Sequence, residues 1–380
     1  MSESPEQRTG LILAGGGARA AYQVGVLQVV AATLGQRADN PFPILVGTSA
    51  GALNAAVLAC GALDFSRAVE RLAAVWSGLE TGMIYRSDWL GATRQAGRFG
   101  LQTLFGAWRQ EPLALLDNAP LRALLTRELD FSGITAALRA RALRAVAVTA
   151  FGYASGQAMT FYQSHGVLDP WFRHRRVGVP ARLAVDHLMA STAIPLFFFF
   201  PPVKVGREFL GDGSVRQTAP ISPALHLGAD RVLVIGLGAP GGNEHALLGR
   251  PPSVAQIGGH LLNSTFVDAL DSDTETLRRL NLLSAALPAG DPVNGRLCRP
   301  VEMLVISPSQ PLADIATRHR KRLPPALRQL LRGVGVNRPS GSALLSYLLF
   351  ESAYCQELMA LGRADAQLRL AELRTFLRLS

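Results

Sequence analysis

A chain of 380 residues with 48% hydrophobic composition can bury a large core, and reads as a soluble globular protein with one large α/β domain and an appendage, or two modest domains. The net charge of +10 is almost all arginine, since lysine occurs only at Lys204 and Lys321, a bias that a GC-rich genome produces as readily as an anionic partner does. Cys60, Cys298 and Cys355 are too few and too scattered for a disulfide framework or a zinc site, and the longest apolar run, Ala193 to Val203, is broken by prolines and too short to span a bilayer.

In chain order, the first segment is a trap. Leu11 to Ala20 ends in Ala18-Arg19-Ala20, like an export cleavage site, but Glu3 and Glu6 precede it with a single Arg8. Its apolar stretch is also shorter than the roughly 7–15 residues that a signal needs. The expectation is a cytoplasmic protein with free thiols. Read instead as structure, Gly10 to Ala14 is a strand, Gly15-Gly16-Gly17 a turn, and about Ala18 to Leu34 a helix. Bare glycine amides at a helix start attract negative charge, as the oxyanion of an acyl-transfer intermediate requires.

Ile44 to Val46 is the next strand, and Gly47-Thr48-Ser49-Ala50-Gly51 follows it. This is the pattern of a nucleophile elbow, where a strand turns sharply into a helix (Ala50 to Cys60) and exposes a serine oxygen, with Gly47 and Gly51 permitting close approach. Phe65 to Trp76 is a helix capped by Asp64. Met83 to Gln110 reads either as an ordinary helical excursion burying its aromatics or as a mobile cover at a membrane surface. Strands are expected at Ala142 to Ala150 and Ala158 to Gln163, and a helix at Ala181 to Ala190. The run Phe197 to Phe200, as a strand, sends two rings into the core and two toward a groove. Asp212-Gly213-Ser214 then closes a short apolar segment. Arg231 to Leu237 is a buried strand, Ala239 to Ser253 a Gly/Pro-rich loop, Val254 to Leu287 mostly helical, and Val301 to Ile306 a last strand of the same sheet. No internal repeat is present.

With Ser49, the glycine turn and Asp212 in hand, the chain resembles the patatin-like phospholipase family. Its members combine a glycine-rich turn ending in Arg or Lys, a G-x-S-x-G elbow, an A-S-x-A-x-P block, here Ala190-Ser191-Thr192-Ala193-Ile194-Pro195, and a D-G-G or D-G-A aspartate. All four blocks lie in family order between about Gly10 and Pro220. Ser214 departs from the usual Gly or Ala, placing a hydroxyl beside the aspartate. The resemblance implies a three-layer α/β/α fold with a mostly parallel sheet and a Ser–Asp dyad, with no cofactor and no metal.

On that reading Ser49 is the nucleophile and Asp212 the base, while the amides of Gly15, Gly16, Gly17 and Ala18 form the oxyanion hole, supported by Arg19, Gly47, Gly51 and Gly213. Asp212 is a weak base for a hydroxyl, and partial desolvation would raise its pKa and help. No histidine falls in a matched block, though a hidden Ser–His–Asp triad stays open. Two other classes compete: a nucleotide-binding module using Gly15-x-Gly17-x-x-Ala20 with Asp39 on a ribose, and a lipid-binding regulatory protein with little turnover. The first gives no reason for the elbow or for Asp212.

The catalytic domain is expected over 1–309, followed over 310–380 by a basic linker and amphipathic helices at about Ser340 to Leu361 and Ala364 to Leu377. No acidic residue falls from Ile315 to Phe350, while Arg318, Arg320, Lys321, Arg322, Arg328, Arg332 and Arg338 do. This is a solvated linker or a patch for anionic lipid head groups, with nucleic acid a distant third because no interleaved aromatic motif accompanies it. Expected partners are an acyl-ester lipid, a membrane surface touched peripherally, and, through the C-terminal helices, a second copy of the chain.

Overall fold

The computed structural model describes residues 8–35, 39–86, 116–195, 200–239, 251–286, 300–333, 335–336 and 341–379. Its centre is a ten-stranded sheet. The strands are β1 (Thr9–Leu13), β2 (Ile44–Thr48), β3 (Ala145–Gly152), β4 (Ala158–Ser164), β5 (Phe172–Arg173), β6 (Arg176–Pro180), β7 (Val203–Val205), β8 (Glu208–Asp212), β9 (Arg231–Ile235) and β10 (Glu302–Ile306). They run in the order β10-β9-β1-β2-β3-β4-β6-β5, with β8 on β3 and β7 on β8. The pairs from β10 to β3 are parallel and β3 is antiparallel to β4 and β8.

β1, β2 and β9 are buried at every residue, which is why they read as continuous apolar runs rather than as alternating ones. Apolar side chains cover both faces. One core holds Leu11, Leu13 and Leu45 with α1 (Ala21–Leu34), α2 (Ala50–Cys60) and α3 (Phe65–Ser77); the other holds Ile12, Val46 and Val234 with Leu270 and Leu277. The sheet is therefore the middle of three layers. Asp64 caps α3 as expected, its side chain accepting from Arg67 N at 3.0 Å.

Several elements differ from expectation in detail. The helix expected over Ala181 to Ala190 is α4 (Val185–Ser191), because Ala181 to Ala184 continue away from β6 without helical hydrogen bonds. Thr81–Ile84 forms one helical turn, and the rest of the segment from Met83 to Gln110 lies, from residue 87 on, outside the described residues. Of the phenylalanine run only Phe200 is described, buried against Tyr85 at 5.9 Å between ring centroids. Toward the C-terminus come α5 (Val254–Asn263), a π turn at Ser264–Asp268, and α6 (Ala269–Ala286).

The basic stretch carries helices Leu312–His319 and Pro325–Arg332, which bury Leu312, Ile315, Leu327 and Leu331. The helix expected from Ser340 to Leu361 is two, α7 (Ser342–Leu348) and α8 (Ser352–Leu368), because the chain turns out of helical geometry at Leu349 and is extended at Glu351; α9 (Leu370–Leu377) follows. α8 lies on α1 closely enough that a Cβ on Gly25 would fall 2.0 Å from Met359 O, and one on Gly362 would fall 2.2 Å from Tyr22 O. Tyr22 also donates to Asp365 Oδ2 at 3.0 Å.

Candidate active site

Ser49 stands between β2 and α2 with φ 54° and ψ −129°, a conformation that a residue with a side chain adopts at a cost of about 1–3 kcal/mol. The flanking glycines make the turn possible. A Cβ on Gly47 would lie 2.4 Å from Gly51 O, and one on Gly51 would lie 2.2 Å from Leu13 O, so α2 folds back against its own strand and against the end of β1.

Because β1 and β2 are paired with Leu13 opposite Gly47, the glycine turn after β1 emerges beside the serine after β2. Gly17 has φ 55°, and the first amides of the 3-10 turn Gly17–Ala20 have no partner within the helix. A Cβ on Gly15 would meet the Phe266 ring at 2.6 Å and Ser214 Oγ at 2.9 Å, so the turn is packed between the π segment and the aspartate loop.

Strand pairing brings Asp212 to the same place. β2 pairs with Ala145 to Thr149 of β3, and β8 pairs with Ala150 to Gly152, while β4 occupies the other edge of β3 from Ala145 to Phe151. β8 thus takes over the edge of β3 at the residue where β2 leaves it. Thr48 lies opposite Thr149 and Asp212 opposite Ala150, so Ser49 and Asp212 meet end to end. The A-S-x-A block is the clamp on this junction. Ser191 Oγ accepts from Ser49 N at 2.9 Å and donates to Thr149 O at 2.7 Å, and Ala193 O accepts from Asp212 N at 2.9 Å.

Ser49 and Asp212 are 1% and 0% exposed. Asp212 Oδ1 accepts from Ser214 N at 2.9 Å, while Oδ2 is buried without a hydrogen-bond partner. Burial pushes the carboxyl up to about 7, opposed by the Ser49 hydroxyl and by the Ser214 amide and hydroxyl. The Ser49 hydroxyl exerts this influence from close by, without a hydrogen bond of normal geometry.

Two buried networks hold the glycine turn. Gln23 Nε2 donates to Ala14 O at 2.8 Å, Asn54 Nδ2 donates to Gln23 Oε1 at 2.9 Å, and Trp76 Nε1 donates to Asn54 Oδ1 at 2.9 Å, tying the turn to α2 and α3. Arg19, 5% exposed, donates to Ser346 Oγ at 2.7 Å, to Tyr347 Oη and Asn263 Oδ1 at 3.0 Å each, and to Ala343 O at 3.3 Å; its guanidinium also lies 3.9 Å from the centre of the Tyr347 ring. All these partners lie on α5 and α7, so Arg19 fastens the turn to residues outside the four sequence blocks.

Sequence reasoning did not single out Gln23, Asn54, Trp76, Asn263, Ser346 or Tyr347. Asn54 alone left a signal, as the one polar side chain in the apolar helix Ala50–Cys60. His187 packs edge-on against Phe161, His226 stacks on Trp171, and His319 meets Glu357. Among the described residues no cluster of His, Cys, Asp or Glu could hold a metal ion.

A mostly parallel sheet between helical layers, presenting a serine elbow at the end of an inner strand, defines an α/β protein of the serine-elbow class. The family model described as patatin-like phospholipase matches residues 11–225, more than half of the chain, and the chain belongs to that family. Among solved structures it is similar to that of VipD from Legionella pneumophila, at 13% identity over 94% of this chain and 67% of that chain, with a TM-score of 0.34. No curated protein matches the chain.

Proposed function

We propose that the chain is a serine lipid acyl hydrolase that cleaves carboxylic esters of membrane lipids, phospholipids or other acyl-ester lipids, through a Ser49–Asp212 dyad. The observation that carries this reading is the shared edge of β3, along which the ends of β2 and β8 bring the two residues together. Ser49 Oγ attacks the acyl carbonyl as Asp212 accepts its proton. The amides of Gly15, Gly16, Gly17 and Ala18 receive the oxyanion, and Asp212 protonates the leaving alcohol. Water then releases the fatty acid from Ser49. A carboxyl with its pKa near 7 is a better proton acceptor than an ordinary aspartate and is ionised in half or more of the molecules above that pH.

Among the described residues no helix is long and apolar enough to cross a membrane, so lipid is met peripherally in this reading. The exposed Lys321 and Arg322 offer attraction to anionic head groups. The test is hydrolysis of a p-nitrophenyl acyl ester and of phospholipid vesicles. Ser49→Ala and Asp212→Ala are each expected to lower turnover by ~10³-fold or more. Retention of activity in Asp212→Ala would overturn the dyad.

A further inference from the structure

Where the glycine turn, the elbow and the aspartate loop converge lies a cavity of about 20 Å³, walled on that side by Ala14, Thr48, Ser214, Gln217, Thr265 and Phe266. Gln217 is 3% exposed. Its Nε2 donates to Thr149 Oγ1 at 3.4 Å, and its Oε1 is buried with no hydrogen-bond partner. An unpaired buried amide oxygen forfeits its hydration without a replacement bond. Proteins relieve such a cost with ordered water where the space is polar and offers roughly 10–15 Å³ or more. The space here reaches that volume, and although Ile12, Val46, Pro220 and Leu270 line much of it, the Thr48 and Ser214 hydroxyls, each 7% exposed, share its wall with Gln217.

The cavity also adjoins the reacting groups. Thr48 precedes Ser49, Ala14 precedes the glycine turn, and Ser214 donates its amide to Asp212 Oδ1 at 2.9 Å. The other oxygen of that carboxylate, Oδ2, is likewise buried without a partner, behind Ser214 rather than on the cavity wall. A water held on this wall is therefore separated from the proposed base only by Ser214, which lines the cavity and donates its amide to Asp212.

We propose that this cavity holds the water that releases the acyl group from Ser49, with Gln217 Oε1 accepting one of its O–H groups and the Thr48 hydroxyl donating to one lone pair, which leaves the other free to attack. The proposal rests on the Ser49–Asp212 hydrolase reading. In the step, the water oxygen bonds to the acyl carbon while its second proton passes to the Asp212 carboxylate. The tetrahedral intermediate collapses with cleavage of the bond from acyl carbon to Ser49 Oγ, which takes the proton back from Asp212, and the free carboxylic acid departs. Gln217 exchanges no proton; it is a positioning residue for the water.

Pre-steady-state kinetics with p-nitrophenyl butyrate separates the two half-reactions. Gln217→Met removes the amide oxygen at nearly constant volume. It is expected to leave the rate of the p-nitrophenol burst within ~3-fold of wild type while the steady-state rate falls ~10-fold or more, with acyl-Ser49 accumulating in intact-protein mass spectra. Gln217→Leu, a second apolar replacement that carries the test if the first variant does not fold, shifts the same ratio in the same direction. A burst and a steady-state rate that fall together, or that both stay at wild-type values, would overturn the water site. Absence of Ser49-dependent turnover in the wild type would instead sink the hydrolase reading itself.

Discussion

The two sides of the candidate site are built by different means. On the elbow side, Ser49 and Asp212 are related by strand pairing along one edge of β3, joined by the main-chain bond from Asp212 N to Ala193 O and by one short side chain, the Ser191 hydroxyl between Ser49 N and Thr149 O. On the oxyanion side, the glycine turn is held by long side chains, Gln23 and Arg19, reaching into helices from distant parts of the sequence. Main-chain pairing fixes position through many cooperative bonds, whereas a buried guanidinium depends on each acceptor being present. The first side falls inside the residues matched by the family, and much of the support of the second falls in α5 and α7, beyond residue 225.

This contrast can be broken most severely at the seam between α1 and α8. Gly362→Leu pushes a side chain into Tyr22 O and should separate the helices at a cost of ~3 kcal/mol or more, read as a lower denaturation midpoint with an unchanged slope. A protein that keeps its midpoint would show that the C-terminal helices are not fastened to the catalytic layer.

The next largest effect is on pH dependence. Because burial raises the Asp212 carboxyl to about 7, kcat/KM should fall ~100-fold from pH 8 to pH 5 along a single acidic limb. Linkage gives the stability sign. The raised pKa favours the folded state fully only below the unfolded value near 3.9, and this contribution is lost as pH rises toward 7. Asp212→Asn should therefore melt above wild type at pH 8, and the gap should close near pH 4; a gap independent of pH would show that the carboxyl is not perturbed.

The smallest effect sharpens the comparison. Ser191→Ala frees Ser49 N from its acceptor and should lower kcat ~10-fold with little change in KM, while Ser191→Thr, which keeps the hydroxyl, should recover part of it. Equal losses in both variants would mean that packing rather than the hydroxyl sets the nucleophile.

The elbow and the glycine turn were legible in the sequence because each is a local demand. Positive φ at Ser49 and Gly17 and backbone contact at Gly47 and Gly51 leave little choice of residue. Asp212 was legible only through its block, since nothing near it announces that β8 continues the edge vacated by β2. Non-local partners were not legible at all. Arg19 read as a support for the glycine turn, but no property of Ser346 or Tyr347 marks them as its acceptors more than 300 positions away. The break between α7 and α8 was missed for a related reason: apolar spacing continues through Leu348 and Leu349, so periodicity could not reveal that the helix ends there.

The joint on β3 also has a meaning for biosynthesis. A ribosome that has delivered the elbow has not delivered β8, and one that has delivered β8 has yet to make the acceptors that lock Arg19 in place. The growing polypeptide therefore carries an exposed strand edge and an unassembled centre through most of its synthesis. On the proposed reading, the groups around Ser49 are all present only once α7 has emerged.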